Sequence, residues 1–181
     1  VIDNEADVGI AWDGDFDRCF FFDEKGNFIE GYYLVGLLAK SFLNKNCNEK
    51  VIYDPRLTWN TIDVVQRYGG DAIQCQSGHS FIKKSMRDND AVYGGEMSAH
   101  HYFRDFYYCD SGMIPWLLIL EMISTEKMPL SQMIQKYRDR FPVSGEINLK
   151  VNNTKKIIEL IKEYYLDDAT GVDETDGVGM E

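Results

Sequence analysis

Val8 and Ile10 alternate with smaller residues up to Asp13, and an apolar run over residues 19–22 ends in the polar stretch Asp23-Glu24-Lys25-Gly26-Asn27. Short apolar runs bounded by turn formers predict two strands with a loop between them. From residue 32 to 43 the period changes: Tyr33, Leu34, Leu37, Leu38 and Phe42 recur at helical spacing until residues 44–50 break the pattern. Residues 51–53 then read as a buried strand, 58–68 as a helix stopped by Gly69-Gly70, and 72–75 as a further strand. Strand, helix and strand in that rhythm predict a parallel pair.

The pattern continues with a helix over residues 80–87, a strand over 91–93, an apolar helix over 111–124 and a polar helix over Leu130–Arg140, closed by Pro142. Beyond it, residues 145–151 alternate like a strand and Thr154–Tyr165 like an amphipathic helix, so a second unit begins there. Asp176-Gly177 is a hairpin-turn pair. The expected class is α/β, with a mixed, mostly parallel sheet flanked by helices. No internal repeat or low-complexity segment interrupts it.

Three loops in this frame carry candidate chemistry. Asp13-Gly14-Asp15-Phe16-Asp17-Arg18 puts carboxylates at alternate positions on a tight turn, hard oxygen donors suited to Mg²⁺ or Ca²⁺. Asp13, Asp15, Asp17 and Glu24 also match ligand positions of a helix-flanked calcium loop, but Arg18 sits where that loop needs glycine and the flanks read as strands. A cation beside a divalent metal is costly unless an anion shares the site, and a phosphoryl group would serve. In the second loop, Gly94-Gly95 is expected to turn the chain sharply and leave Glu96, Ser98 and His100 on one side, a set suited to sugar hydroxyls; His101 reads as packed or solvated. The third, Ser77-Gly78-His79-Ser80, opens a helix bearing Lys83 and Lys84, where free amides and ammonium groups would accept an anion. The plainer alternative there is a serine N-cap and a solvated lysine face. Arg56, in Asp54-Pro55-Arg56, ends another strand at the sheet edge where open α/β folds bind ligands.

Composition narrows the field. A formal charge of −11 over 181 residues argues against a nucleic-acid partner. The apolar run 114–123 contains Glu121 and falls short of the roughly 20 residues that span a bilayer, so no membrane insertion is expected. Cys19, Cys47, Cys75 and Cys109 form no C-x-x-C pair, which favours reduced thiols and a cytoplasmic setting over a disulfide scaffold or a zinc site. The chain opens at Val1 without a methionine or leader and stops just after a hairpin turn, so both ends read as cuts.

Taken in order, Asp13 to Arg18, Asp54-Pro55-Arg56, Ser77-Gly78-His79-Ser80-Phe81-Ile82-Lys83 and Gly95-Glu96-Met97-Ser98-Ala99-His100 resemble the alpha-D-phosphohexomutase superfamily, and most closely its phosphomannomutase/phosphoglucomutase branch. The resemblance implies an internal piece of a four-domain enzyme: residues 1–25 the end of domain 2 with the metal loop, 26–142 the sugar-binding domain 3, and 143–181 the opening of an α+β domain 4. It implies that Asp13, Asp15 and Asp17 bind Mg²⁺ and that Arg18 lies beside the transferring phosphate. The catalytic phosphoserine and the remaining domains would belong to the rest of the parent chain.

By the same resemblance Glu96 and Ser98 hold sugar hydroxyls, and Arg56, Ser77, Gly78, His79 and Lys83 line the cleft. His100, with His79 as the second choice, resembles the general acid/base. Glu-Met-Ser followed by histidine is similar to the branch acting on mannose or glucose phosphates, and Asp-Phe-Asp with Cys-Phe-Phe-Phe-Asp-Glu to phosphomannomutases of bacterial surface-polysaccharide pathways. The implied activity is the interconversion of mannose 6-phosphate and mannose 1-phosphate through a phosphoserine and a hexose 1,6-bisphosphate, with no turnover by this chain alone. Phosphoglucomutase, and a non-catalytic calcium- or carbohydrate-binding module, are the alternatives. Ala99 departs from the commoner glycine and would strain the loop if its φ were positive.

Overall fold

The computed structural model describes residues 1–181 and divides into two compact units, 1–143 and 144–181. The first unit opens with an antiparallel sheet of β1 (Gly9–Trp12), β2 (Cys19–Phe22) and the two-residue β3 (Phe28–Ile29). Helix α1 (Gly31–Leu43) follows, then β4 (Lys50–Tyr53), α2 (Thr58–Arg67), β5 (Asp71–Gln74) and α3 (His79–Asn89). Next come β6 (Tyr93–Gly95), β7 (His101–Phe103) and β8 (Cys109–Asp110), with α4 (Pro115–Glu126) and α5 (Leu130–Arg140) closing the unit. The second sheet runs β5-β4-β6-β7-β8; β4 is parallel to β5 and β6, and antiparallel pairing of β7 with β6 and β8 leaves β7 as the one strand opposed to the other four.

Alternation along the strands sorts the side chains onto two faces. Val51, Tyr53, Tyr93 and Phe103 pack with α1, α2, α4 and α5, whereas Ile52 and Tyr102 pack with Ile82 and Met86 of α3. Helix α1 is the core element: every residue along it but Phe42 is buried, as expected for a helix apolar on nearly every face. Its one lysine, Lys40, is 6 % exposed and reaches Glu126 of α4 at 2.5 Å, so the buried charge is paired.

Three expectations for this unit are corrected, the first being the strand expected over 91–93, which runs over Tyr93–Gly95 as β6. Gly94 and Gly95 do not turn the chain; they lie within β6 and permit close packing, since a Cβ would sit 2.9 Å from Met86 Sδ at Gly94 and 2.7 Å from both Val35 γ-carbons at Gly95. The turn falls one step later, where Glu96 N–H donates to the His100 carbonyl and Ala99 N–H to the Glu96 carbonyl. Residues 111–114 likewise stay out of α4: Ser111 Oγ accepts from Met113 N–H in a local turn, and the helix starts at Pro115.

The second unit holds α6 (Thr154–Tyr165), capped by Asn153 accepting from Lys156 N–H, and a hairpin of β9 (Val172–Asp173) and β10 (Gly179–Met180) around Asp176-Gly177. Residues 145–151, expected as a strand, have no ladder partner and remain irregular. No helix of the structure is long and apolar enough to cross a membrane.

His101 is fully buried, with Nδ1 2.7 Å from the Tyr93 hydroxyl. Burial, and less strongly the neighbouring His100, push its imidazole down to about 3. The folded chain therefore keeps His101 neutral while the unfolded chain takes up a proton below its ordinary value of 6.5. This contribution to stability is complete above that value and is lost as pH falls toward about 3. Between about pH 7 and about pH 5 it amounts to about 2 kcal/mol, so urea unfolding of His101→Phe is expected to be less pH-dependent than the parent by that amount. Equal pH slopes would contradict a buried neutral imidazole.

Candidate active site

The antiparallel pairing of β1 with β2, from Gly9↔Phe22 to Trp12↔Cys19, makes residues 13–18 a loop between two strands and not a calcium loop between helices. Phe16 turns the chain at φ 64°. Arg18 folds back on Asp13, with Nε and Nη2 each 2.6 Å from Oδ2 and its N–H 3.2 Å from Oδ1. Burial pushes the Asp13 carboxyl up, but these contacts outweigh it and hold the group below its ordinary value. Carboxylate oxygens of Asp13, Asp15 and Asp17 lie within 4.8 Å of one another, and Asp17 Oδ1 is buried without a hydrogen-bond partner. Arg18 Nε approaches that oxygen only to 3.6 Å, and an acceptor without a hydrogen bond among converging carboxylates fits a hard cation such as Mg²⁺.

Gly112 fixes this loop from outside. Its N–H donates to the Phe16 carbonyl at 3.2 Å, and its own carbonyl accepts from Trp12 Nε1 at 2.9 Å. A Cβ at this position would lie 2.6 Å from the Phe16 carbonyl oxygen and 2.8 Å from that of Arg18.

The parallel strands β4, β5 and β6 deliver the other loops to one edge of the sheet, where α/β folds bind ligands. Asp54 is fully buried there; it accepts from Arg56 N–H at 2.8 Å, Arg56 Nη2 at 2.9 Å and Met97 N–H at 2.7 Å. Arg56 Nη2 also reaches Ser77 Oγ at 3.2 Å. Glu96 is 3 % exposed, with Oε1 accepting from Gly78 N–H at 2.7 Å and Oε2 from the Tyr102 hydroxyl at 2.5 Å. His100 shares a 2.8 Å hydrogen bond between Nδ1 and Ser98 Oγ, and its Nε2 stands 3.3 Å from Asp17 Oδ2. A β-bridge between Arg18 and His100 joins the acidic loop to the loop of Glu96.

Ser77, Gly78, His79, Lys83, Glu96, Ser98 and His100 thus line one open cleft of about 570 Å³ together with Asp17. A hollow of about 500 Å³ in the 144–181 unit, lined largely by Ile158, Ile161, Tyr165 and Met180, gathers none of the expected residues. Asp13, Asp15, Arg18 and Arg56 stand outside the cleft lining, Arg56 touching it through Ser77. Lys84 turns away to pair with Asp88 on the exposed side of α3. Neither Ser77 nor Ser80 caps that helix: Gly78, at φ 118°, precedes it, and its carbonyl accepts from the Phe81 and Ile82 N–H groups. Ala99 has φ 69°, a left-handed conformation that costs a non-glycine residue about 1 kcal/mol.

Sequence reasoning missed Asp110, which completes the cleft and pairs with Lys83 Nζ at 2.7 Å. Burial pushes its carboxyl up and Lys83 more than offsets this, leaving it below its ordinary value. No spacing marks this residue, because only the pairing of β7 with β8 carries it back to the site.

The family model described as phosphoglucomutase/phosphomannomutase, alpha/beta/alpha domain III, matches residues 30–141. A phosphomannomutase of Escherichia coli K12 is 56 % identical over 180 residues, which cover 99 % of this chain and 40 % of that protein. The chain therefore spans about two fifths of the length of such relatives. A crystal structure of a phosphoglucomutase/phosphomannomutase family protein from Burkholderia thailandensis superposes with a TM-score of 0.81 at 29 % identity, covering 97 % of this chain and 38 % of that one. An Aspergillus fumigatus N-acetylphosphoglucosamine mutase, solved with GlcNAc-6P and magnesium, shares the fold at a TM-score of 0.60 and 12 % identity, covering 86 % of this chain and 40 % of that one.

Gly112→Ala is expected to displace residues 13–18 and to cost about 1–3 kcal/mol by overpacking. Amide NMR shifts should change through the acidic loop and stay fixed in β4 and β5; an undisturbed loop would remove Gly112 from this role.

Proposed function

The chain belongs to the phosphoglucomutase/phosphomannomutase family, and from that premise we propose that it forms one wall of the cleft of a phosphomannomutase. The complete protein would interconvert mannose 6-phosphate and mannose 1-phosphate through a phosphoserine and a hexose 1,6-bisphosphate. One observation carries this reading. Side chains from three separate loops, Ser77 to His79, Glu96 to His100 and the acidic turn at Asp17, meet with Lys83 around a single cleft of sugar-phosphate size.

Asp13, Asp15 and Asp17 are assigned to Mg²⁺, whose positive charge, when bound, offsets the charge of a phosphoryl group next to the acidic loop. Arg18 is positioned by Asp13 and would face the same phosphate. Lys83 supplies a second positive charge, held at the cleft by Asp110. Each carboxylate oxygen of Glu96 has accepted one protein donor and keeps acceptor capacity for a sugar hydroxyl. Ser98 engages His100 Nδ1, so the proton of the attacking hydroxyl is assigned to exchange at Nε2. His79, which also lines the cleft, is the second choice for that task. Four unpaired cysteines support a cytoplasmic setting. The 181-residue chain alone is expected to give no turnover, because the phosphoserine is assigned to the rest of the protein.

In the complete enzyme, Asp15→Asn should lower mutase kcat on the order of 100-fold with an unchanged melting temperature. In this chain the same substitution should abolish Mg²⁺-induced shifts of the loop amides. Full activity in the variant would remove the metal assignment. Faster turnover of glucose 1-phosphate than of mannose 1-phosphate would replace the substrate, and strong preference for Ca²⁺ without turnover would favour a binding module.

A further inference from the structure

Tyr102, fully buried in the middle of β7, touches three groups of the cleft, two from the loop of residues 96–100 and one from α3. Its hydroxyl donates to Glu96 Oε2 at 2.5 Å. Its ring lies under the imidazole of His100, with centroids 6.3 Å apart and planes inclined by 28°. The ammonium of Lys83 sits 5.8 Å from the ring centroid, within cation–π range. Register explains the meeting: Tyr102 lies opposite Gly94 on β6, which presents no side chain, and opposite Asp110 on β8, the partner of Lys83.

The Glu96 carboxylate has a choice of donors. Oε2 is 2.5 Å from the Tyr102 hydroxyl and 3.5 Å from His100 Nδ1, while Nδ1 bonds Ser98 Oγ at 2.8 Å. Without the hydroxyl, a carboxylate only 4 % exposed would lose one of its two protein donors. A buried acceptor left unpaired takes the nearest available donor. That donor is His100 Nδ1, and its capture would draw the imidazole away from Ser98.

We propose that Tyr102 is the positioning residue of this cleft: its hydroxyl keeps Glu96 off His100, and its ring seats His100 and Lys83, so that hydroxyl-facing and phosphate-facing groups hold one arrangement. Its value for turnover rests on the assignment of Glu96 and His100 to the sugar. The geometry itself does not. Burial and the Glu96 carboxylate push the Tyr102 hydroxyl far above its ordinary value, so it stays a donor throughout the accessible pH range.

The test is Tyr102→Phe in this chain, observed through the ¹⁵N signals of the histidine rings and the Gly78 amide. Expected are a shift of His100 Nδ1, a shift of the Gly78 amide as Glu96 moves, and retained cooperative unfolding. Tyr93→Phe deletes another buried tyrosine hydroxyl and serves as the control; it should move His101 and leave His100 in place. Unchanged His100 and Gly78 signals in Tyr102→Phe, or an equal His100 shift in Tyr93→Phe, would overturn the proposal. Should the variant not fold, the unsubstituted chain decides: the Tyr102 hydroxyl proton should give a far-downfield signal slow to exchange with water, and its absence would count against the bond. Failure of sugar-phosphate binding or turnover would bear on the assignment of function and leave this result untouched.

Discussion

The buried carboxylate of Asp54 ties the cleft edge of the sheet together. It stands at the end of β4, the strand flanked by parallel neighbours on both sides, and is sealed from water. Four donors satisfy it, three from Arg56 and one from the backbone of Met97. A buried carboxylate stripped of its partners costs several kcal/mol, so the loop of residues 96–100 cannot drift without an energetic consequence. Glu96 repeats the device one loop away, fastening the turn at Gly78. Cleft geometry is thus set by two acidic groups whose hydrogen-bond needs cross between loops.

The strongly acidic chain manages charge locally at this edge. Asp13 is matched by Arg18, Asp110 by Lys83 and Asp54 by Arg56, which places cations within a surface of net charge −11. These pairs differ in strength. Asp54 is desolvated, whereas Arg18 and Arg56 are about half exposed and their ion pairs are screened by solvent.

Reversal of β7 within an otherwise co-directional sheet gives the site its second tier. His101 and Phe103 turn toward α1, while Tyr102 turns toward α3 and the cleft, so adjacent residues serve the core and the site. The strand pair then brings Asp110 beside Lys83 and hands the chain to Gly112, which clamps the acidic loop. Contacts that fix one loop therefore pass through residues far away in sequence.

Local pattern carried much of the fold. Periodicity located α5 and α6 to the residue, the parallel β4-α2-β5 unit and the β1–β2 pair, because spacing of apolar side chains and turn formers is written in consecutive residues. The candidate site residues stand in short motifs whose order along the chain carries the family resemblance, and the structure brings Ser77, Gly78, His79, Lys83, Glu96, Ser98, His100 and Asp17 to one cleft. The sequence alone could not place β3, β7 and β8, which are too short and irregular to have a period and exist through pairing. Nor could it assign Gly94 and Gly95 to close packing, Ala99 to a left-handed turn, or Asp110, Gly112 and Tyr102 to the site. Those roles depend on which residues lie within a few ångströms, and that is settled by strand register and helix packing across the whole unit.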